Sequence, residues 1–292
     1  MPEVSVVIVN RDGRDSLARC LASVRECGRG RDWNVLVADN ASTDGSPELC
    51  AEKFPEVRLL RTGANLGFAR ANNMALAETR VPFVLFLNPD TVLFPGAVDI
   101  LLEAMRKEPK AAACGPLLVQ EGSAFQVSFG RKVSFFRELV QKSVLNPYFK
   151  RRLKGSPRTR EVGWLSAACL LARREAVEAV GGFDEGFFLY FEDIDLCVRM
   201  AAQGWRMLFL PEARVFHEGG AATKHFAPSR FEYRKSQIRF YRKHNSRASQ
   251  RLLGLYLRSN LFFLGLRDRL KKGGGEEARR FRGLLKKPEA KP

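Results

Sequence analysis

Along the first 120 residues, short apolar runs that end in a polar residue alternate with segments of helical period. No other feature constrains the fold more. Val4–Val9 is almost continuously apolar, as a strand buried on both faces must be, and it stops at Asn10-Arg11-Asp12-Gly13. Leu17, Leu21 and Val24 then recur at helical spacing. Val35–Ala38 is a second apolar run, followed by the polar loop Asp39-Asn40-Ala41-Ser42-Thr43-Asp44-Gly45. Ser46-Pro47-Glu48 has the form of an N-cap, a proline in the first helical position and an acid in the first turn. Val57–Leu60 and Val81–Leu87 read as further strands, Phe68–Glu78 and Pro95–Lys107 as helices. This order predicts an α/β domain whose mostly parallel central sheet is covered by helices on both faces. Such sheets bind ligands outside the carboxyl ends of their strands, which here carry Asn10, Asp39 and Asn88-Pro89-Asp90.

Beyond residue 160 the pattern resumes. Trp164–Ala172 reads as a strand or strand-turn, and Arg173–Val180 as a helix stopped by Gly181-Gly182. Asp193–Gln203 is a helix ending before Gly204, and Met207–Leu210 a strand. The predicted organisation is one domain over residues 1–225, interrupted at 121–160 by a basic, flexible insertion over the site. A basic amphipathic helical tail follows at 226–272, then a frayed end at 273–292. Apolar residues make up 45% and charged residues 28% of the chain, which argues against wholesale disorder. No run of 18 apolar residues is long enough to span a bilayer, and the N-terminus lacks the basic-then-apolar pattern of a secretory signal. Six scattered cysteines without a C-x-x-C pair suit reduced thiols in a cytosolic protein better than disulfides or zinc.

The location of the charge says more than its net value of +17. Residues 131–160 hold ten Lys/Arg against one acid, and residues 224–292 hold twenty against five. The remainder carries 19 basic and 26 acidic residues, so the basic excess is attached to a mildly acidic core. Nucleic acid phosphate and anionic lipid headgroups both attract such a surface. Within Leu252–Leu266, leucine and phenylalanine interrupted by Arg258 and Asn260 suit a helix lying in a membrane interface. The same residues also suit a basic helix docked on the domain by its apolar side chains.

The chain has neither a phosphate-binding P-loop nor a dinucleotide fingerprint after its first strand, and no G-x-S-x-G elbow. What it offers is carboxylates at strand ends. The order Val4-Ser5-Val6-Val7-Ile8-Val9-Asn10, Ala38-Asp39-Asn40-Ala41-Ser42-Thr43-Asp44-Gly45-Ser46 and Asn65-Leu66-Gly67-Phe68-Ala69 resembles a known family. So does its continuation in Leu87-Asn88-Pro89-Asp90-Thr91, Gly181-Gly182-Phe183-Asp184-Glu185 and Phe191-Glu192-Asp193-Ile194-Asp195-Leu196-Cys197. That family is the inverting glycosyltransferases of family 2, of GT-A nucleotide-sugar fold. The wording is most similar to a rhamnosyltransferase-like branch that builds bacterial surface polysaccharides.

The resemblance implies roles residue by residue. Asp39 is expected to accept from the N3–H of uracil or thymine, although a loop acid capping a helix has the same pattern. Asn10 and Asp12 are expected beside the nucleotide, with Asn65, Gly67, Phe68 and Asn73 around base and ribose. Gly67 also reads as a loop glycine that frees the backbone before a helix. Asn88-Pro89-Asp90 stands where the family has Asp-x-Asp, so only Asp90 offers charge to a Mg²⁺ or Mn²⁺ ion on the diphosphate. His217 matches a histidine that completes the metal shell and would favour Mn²⁺, and a structural histidine is the alternative. Asp193 resembles the general base, and its alternative is a plain acidic helix start. Glu192 is expected to contact the acceptor or orient the base, and Asp195 to pair with Arg199 one turn on. Trp164 and Ser166 match the acceptor-side strand, where Trp164 either stacks on a sugar or fills core.

The implied reaction moves a sugar, L-rhamnose by the branch resemblance, from a dTDP- or UDP-sugar to a lipid-linked or glycan acceptor. It would take place on the cytoplasmic, inner face of the cell membrane, on an anionic surface and without nucleic acid. Sugar nucleotidyl transfer and a non-enzymatic, basic nucleic-acid binder are the competing readings.

Overall fold

The computed structural model describes residues 2–121, 125–131, 133–134, 158–219 and 229–270, without the side chains of 229 and 261–270. Most of the expected insertion (122–124, 132 and 135–157) and the expected frayed end lie outside these residues.

The alternating apolar runs become strands because each can bury both faces at once. β1 (Val4–Asn10) is buried along its whole length. It lies in a ten-stranded sheet between β2 (Trp33–Asp39), outside which sits β3 (Arg58–Arg61), and β4 (Phe83–Leu87). These four run parallel. Beyond β4 the order continues through β11 (Cys169–Arg173), β6 (Ala111–Val119), β12 (Arg206–His217) and β5 (Thr91–Leu93). β11 is antiparallel to both neighbours and β5 to β12, while β6 and β12 are parallel. Short β7 (Phe125–Gln126) pairs with β6 and β9 (Arg160–Val162) with β12, whereas β8 (Phe129–Gly130) and β10 (Trp164–Leu165) pair apart.

The two-residue period of the strands divides the core into two layers. Val4, Val6 and Ile8 point to one face with α1 (Arg14–Cys27), α2 (Ser46–Lys53) and α4 (Ala97–Lys107). Val7 and Val9 point to the other with α3 (Phe68–Ala77), α5 (Arg174–Ala179) and α6 (Glu192–Ala202). All six cysteines are free, and five of them are buried.

Two local expectations are corrected. Gly45, at φ 80°, rather than Ser46, occupies the N-cap of α2, and Asp44 Oδ1 accepts from both Ser46 N (3.0 Å) and Ser46 Oγ. β6, absent from the sequence reading, is nearly all buried. Its Ala-Ala-Ala-Cys-Gly-Pro wording carries little strand propensity, so pairing with β11 and β12 decides its conformation. Pro116 cannot donate, and it sits where the β12 register shifts between Leu210 and Arg214.

The tail forms α7 (Ser229–His244) and α8 (Arg247–Leu270). Phe240, Tyr241, Leu253 and Leu257 build a third core with Phe187 and Phe191 of the segment leading into α6. Among the described residues, no helix is long and apolar enough to cross a membrane.

Candidate active site

Three groups of polar residues sit at the edge where β1, β2 and β4 end. The first surrounds the ends of β1 and β2, where Asn10 and Asp39 are register partners. Asn10 Nδ2 donates to Ser42 Oγ (3.2 Å), which also receives the amide of Asp12 (3.0 Å). Asp12 Oδ1 accepts from Thr43 N at 2.7 Å. Asp39 Oδ2 accepts from Ser42 N at 3.2 Å. That leaves Asn10 Oδ1 and Asp39 Oδ1, both buried and neither with a hydrogen-bond partner among the described residues. Buried acceptors are rarely left unmatched, so this pair marks a place for an incoming N–H or O–H donor.

Asn40, to which the sequence reading gave no role, ties this group to the next loop. Its Nδ2 donates to Asn65 Oδ1 (2.9 Å) and its Oδ1 accepts from Leu66 N (2.8 Å). Gly67 N donates to that same Asn65 Oδ1 at 3.2 Å, whereas Phe68 N and the Asn73 side chain make their contacts with the 183–188 loop. Gly67 has φ 81°, and a Cβ there would lie 2.5 Å from the Phe188 carbonyl oxygen. Phe68 N donates to that same oxygen at 2.8 Å. Asn73 donates to Phe183 O (2.9 Å) and Glu185 Oε1 (3.1 Å) while accepting from Phe183 N (2.9 Å), so it reaches the site only through that loop.

The second group follows β4. Asp90 and His217 are both buried, with His217 Nε2 3.1 Å from Asp90 Oδ1 and 3.4 Å from Asn88 Nδ2. His217 Nδ1 lies 2.6 Å from Gln126 Oε1, an atom that only accepts, so Nδ1 carries a proton. In the neutral ring the Nε2 lone pair then faces a carboxylate oxygen, two acceptors turned toward one another. A divalent cation would relieve that opposition, and one imidazole with one carboxylate are donors that Mn²⁺ or Mg²⁺ accepts. No cluster of three His, Cys, Asp or Glu forms a cage among the described residues. Gln126 lies in the patternless stretch after β6, where no periodicity or motif marks it.

The third group opens α6. Tyr190 and Phe191 both have left-handed backbone (φ 70° and 68°), an uncommon conformation for non-glycine residues. Phe191 is the N-cap, and Glu192 and Asp193 follow at once. Asp193 Oδ2 accepts from Ala167 N (3.1 Å) and Oδ1 from Ile194 N (2.8 Å). Burial raises the Asp193 carboxyl above its ordinary value, against these hydrogen bonds and one from Ser166. Glu192 is pushed well above its ordinary value by burial and then by the charge of Asp193, and its Oε2 is buried without a hydrogen-bond partner among the described residues. Trp164 packs on the second core layer and against Gly130, with Nε1 buried and unpartnered among the described residues.

Backbone contacts link the groups. Asn88 N donates to Ala168 O (3.0 Å), and the adjoining Ala167 N holds Asp193. Asp195 faces away from this edge and into the tail. It is fully buried and accepts from Arg199 (2.7 Å), Lys243 (2.8 Å) and His244 (2.6 Å). Burial opposes its ionisation, but the bonds from His244 and Lys243 and the nearby Arg199 charge prevail, bringing it down to about 2.

The chain as a whole is similar to known proteins. Residues 5–181 match the family model described as glycosyl transferase family 2. Over 237 residues the chain is 38% identical to an N-acetylglucosaminyl-diphospho-decaprenol L-rhamnosyltransferase of Mycobacterium tuberculosis, covering 75% of this chain and 76% of that protein. It is 25% identical over 248 residues to a rhamnosyltransferase of Escherichia coli, covering 81% of this chain and 92% of the other. The fold is that of a mannosyltransferase of Pyrobaculum calidifontis solved with GDP-Man and Mn²⁺ (TM-score 0.58, 19% identity), covering 83% of this chain and 64% of that one. With its α/β sheet, its acid-bearing strand ends and these similarities, the chain belongs to glycosyl transferase family 2 and is a rhamnosyltransferase-like glycosyltransferase.

Proposed function

We propose that the protein is an inverting sugar transferase that uses a pyrimidine nucleotide-diphosphate sugar, with dTDP-rhamnose as its donor, and a lipid-linked or glycan acceptor of surface polysaccharide. The observation that carries this reading is the arrangement of carboxylates along one edge. Asp193 is fixed by the amide of Ala167, beside the β4 end that carries Asp90, which His217 at the end of β12 contacts, and at the same sheet edge as the unmatched acceptors of Asp39 and Asn10.

In this mechanism Asp39 Oδ1 accepts from the pyrimidine N3–H, and the Asn40–Asn65 pair holds the adjoining loop in place. Asp90 and His217 would hold a divalent cation, which would offset the charge that grows on the departing diphosphate. Asp193 accepts the proton of the acceptor hydroxyl as that oxygen bonds to the anomeric carbon. The bond from that carbon to the diphosphate oxygen breaks on the opposite face, and its electron pair leaves with the nucleoside diphosphate. Glu192, whose burial favours the protonated form, is suited to donate to an acceptor oxygen. The 38% identical mycobacterial relative, whose name specifies a lipid-diphosphate acceptor and rhamnose, supports the choice of substrates.

The test is a thermal-shift screen of nucleotide sugars with and without Mn²⁺, followed by product analysis with a polyprenyl-diphosphate N-acetylglucosamine acceptor. Stabilisation by dTDP-rhamnose, release of dTDP and an inverted linkage are expected. Pyrophosphate as the product would assign the site to nucleotidyl transfer instead.

A further inference from the structure

Among the described residues of the tail, two groups of cations differ in their partners. On the side toward the domain, Arg239 reaches Asp184 at 3.0 Å, Lys243 reaches Asp184 at 2.6 Å, and Lys243 and His244 both reach Asp195. Arg242, Arg247, Arg251 and Arg258 are exposed and have no ion-pair or hydrogen-bond partner among the described residues. Arginines elsewhere on the surface are commonly matched, as Arg25 is by Glu56, Arg31 by Asp99 and Arg106 by Glu3.

The four unmatched arginines are gathered in one place. They line a cavity of about 590 Å³ between α7 and α8, and no acid lines it among the described residues. Its other walls are largely apolar, among them Ile238 and Leu255. Leu255 is 61% exposed, unusual for a leucine in this protein. It lies four residues after Arg251 and three before Arg258, so the three share one stripe of α8. Gly254 leaves part of the groove open, since a Cβ there would meet nothing within 4 Å.

We propose that this groove binds the phosphate headgroup of an anionic membrane lipid. A guanidinium fork matches phosphate oxygens in pairs, and four such forks without internal anions leave a strong local demand for negative charge. The apolar wall is what selects a lipid: an acyl chain leaving the phosphate would run along Leu255 and Ile238, whereas a free anion gains nothing from them. Nucleic acid supplies phosphates, but it would leave Leu255 in water. α7 grips α6 through Asp195, and α8 packs on the same junction through Leu253 and Leu257, so lipid contact would hold the catalytic edge at the membrane surface. This site goes beyond the transfer reaction, and it is measured with neither donor nor acceptor present, so the two readings fail independently.

The experiment is co-sedimentation of the full chain with phosphatidylcholine vesicles, with and without phosphatidylglycerol. Arg251→Gln combined with Arg258→Gln is expected to lower partitioning onto the anionic vesicles by about tenfold or more, with the melting temperature unchanged. Gly254→Phe, which fills the groove and keeps every charge, should lower it as well. Arg58→Gln with Arg61→Gln removes the same charge where Glu78 and Glu48 are the partners, and should change partitioning less than about threefold. The proposal is overturned if the control pair loses as much as the groove pair, or if Gly254→Phe binds like the parent. It is equally overturned if inorganic phosphate or short DNA displaces the protein from vesicles with the same arginine dependence.

Discussion

The buried Asp195 carboxylate accepts from His244 Nε2 at 2.6 Å, and that contact fastens the C-terminal helices to the helix that carries Asp193. Two residues of α6 thus face opposite tasks, Asp193 toward the strand ends and Asp195 toward the tail. The salt cluster at Asp195 is the polar centre of an otherwise aromatic junction in which Phe191 packs on Phe240 at 5.4 Å.

This junction gives stability an acid-sensitive component. Asp195 is held at about 2 against an ordinary 3.8, so its native value lies below its unfolded one. Such a carboxylate stabilises the fold fully above its unfolded value, and that contribution disappears as pH falls from about 4 toward about 2, on the order of 2 kcal/mol. Urea unfolding across this range should show the loss in the parent. Asp195→Asn should show a flatter profile from a lower start, reduced by about 3–5 kcal/mol because Lys243, Arg199 and His244 lose their buried partner.

How far the sequence reached depends on how local each signal was. β1, β2 and β4 were legible because continuous apolar runs ending in Asn or Asp leave few alternatives. The Asp195–Arg199 pair was legible because it follows helical spacing, and it is present at 2.7 Å. His244 was not, since its partner is 49 residues away in sequence. The tail could be counted as basic, but no count separates Lys243, which turns inward, from Arg251, which does not. β6 escaped because alanine, glycine and proline take up a strand only when neighbours impose it.

The aromatic side of the junction should govern turnover as well as stability. Tyr190 and Phe191 hold left-handed backbone immediately before Glu192, and Tyr233 and Phe240 of α7 pack on them at 5.5 Å and 5.4 Å. Strain of this kind persists only when surrounding packing enforces it. Phe240→Ala should cost about 3–5 kcal/mol of stability and lower kcat more than it weakens donor binding. Steady-state kinetics together with calorimetric donor titration separate the two effects. Equal losses in both would mean that the tail supports the whole edge and not this turn alone.

Nucleotide choice should rest on Asp39. Its Oδ1 is buried without a hydrogen-bond partner among the described residues, as is the neighbouring Asn10 Oδ1. Asp39→Asn keeps the volume but removes the charge that strengthens a bond from the base N–H, a loss of about 1.5–3 kcal/mol, or roughly ten- to a hundredfold in affinity. Isothermal titration with dTDP should detect it. If GDP binds the parent as tightly as dTDP, Asp39 is not reading a pyrimidine.

Asp193 is expected to control the proton and little else. Asp193→Asn keeps an oxygen that can accept from Ala167 N or Ile194 N, so the turn at 166–168 should survive and donor affinity should stay within about threefold. Turnover should fall by about 10²–10⁴, the range general base catalysis supplies. Because burial raises the carboxyl and the base works ionised, kcat in the parent should decline as pH falls, starting above the usual carboxylate range. The midpoint of that limb belongs to the Glu192–Asp193 pair together, since each titrates in the field of the other. The residual rate of Asp193→Asn should lack the limb altogether. A variant that keeps the parent's pH profile at reduced rate would move the base to another group on this edge.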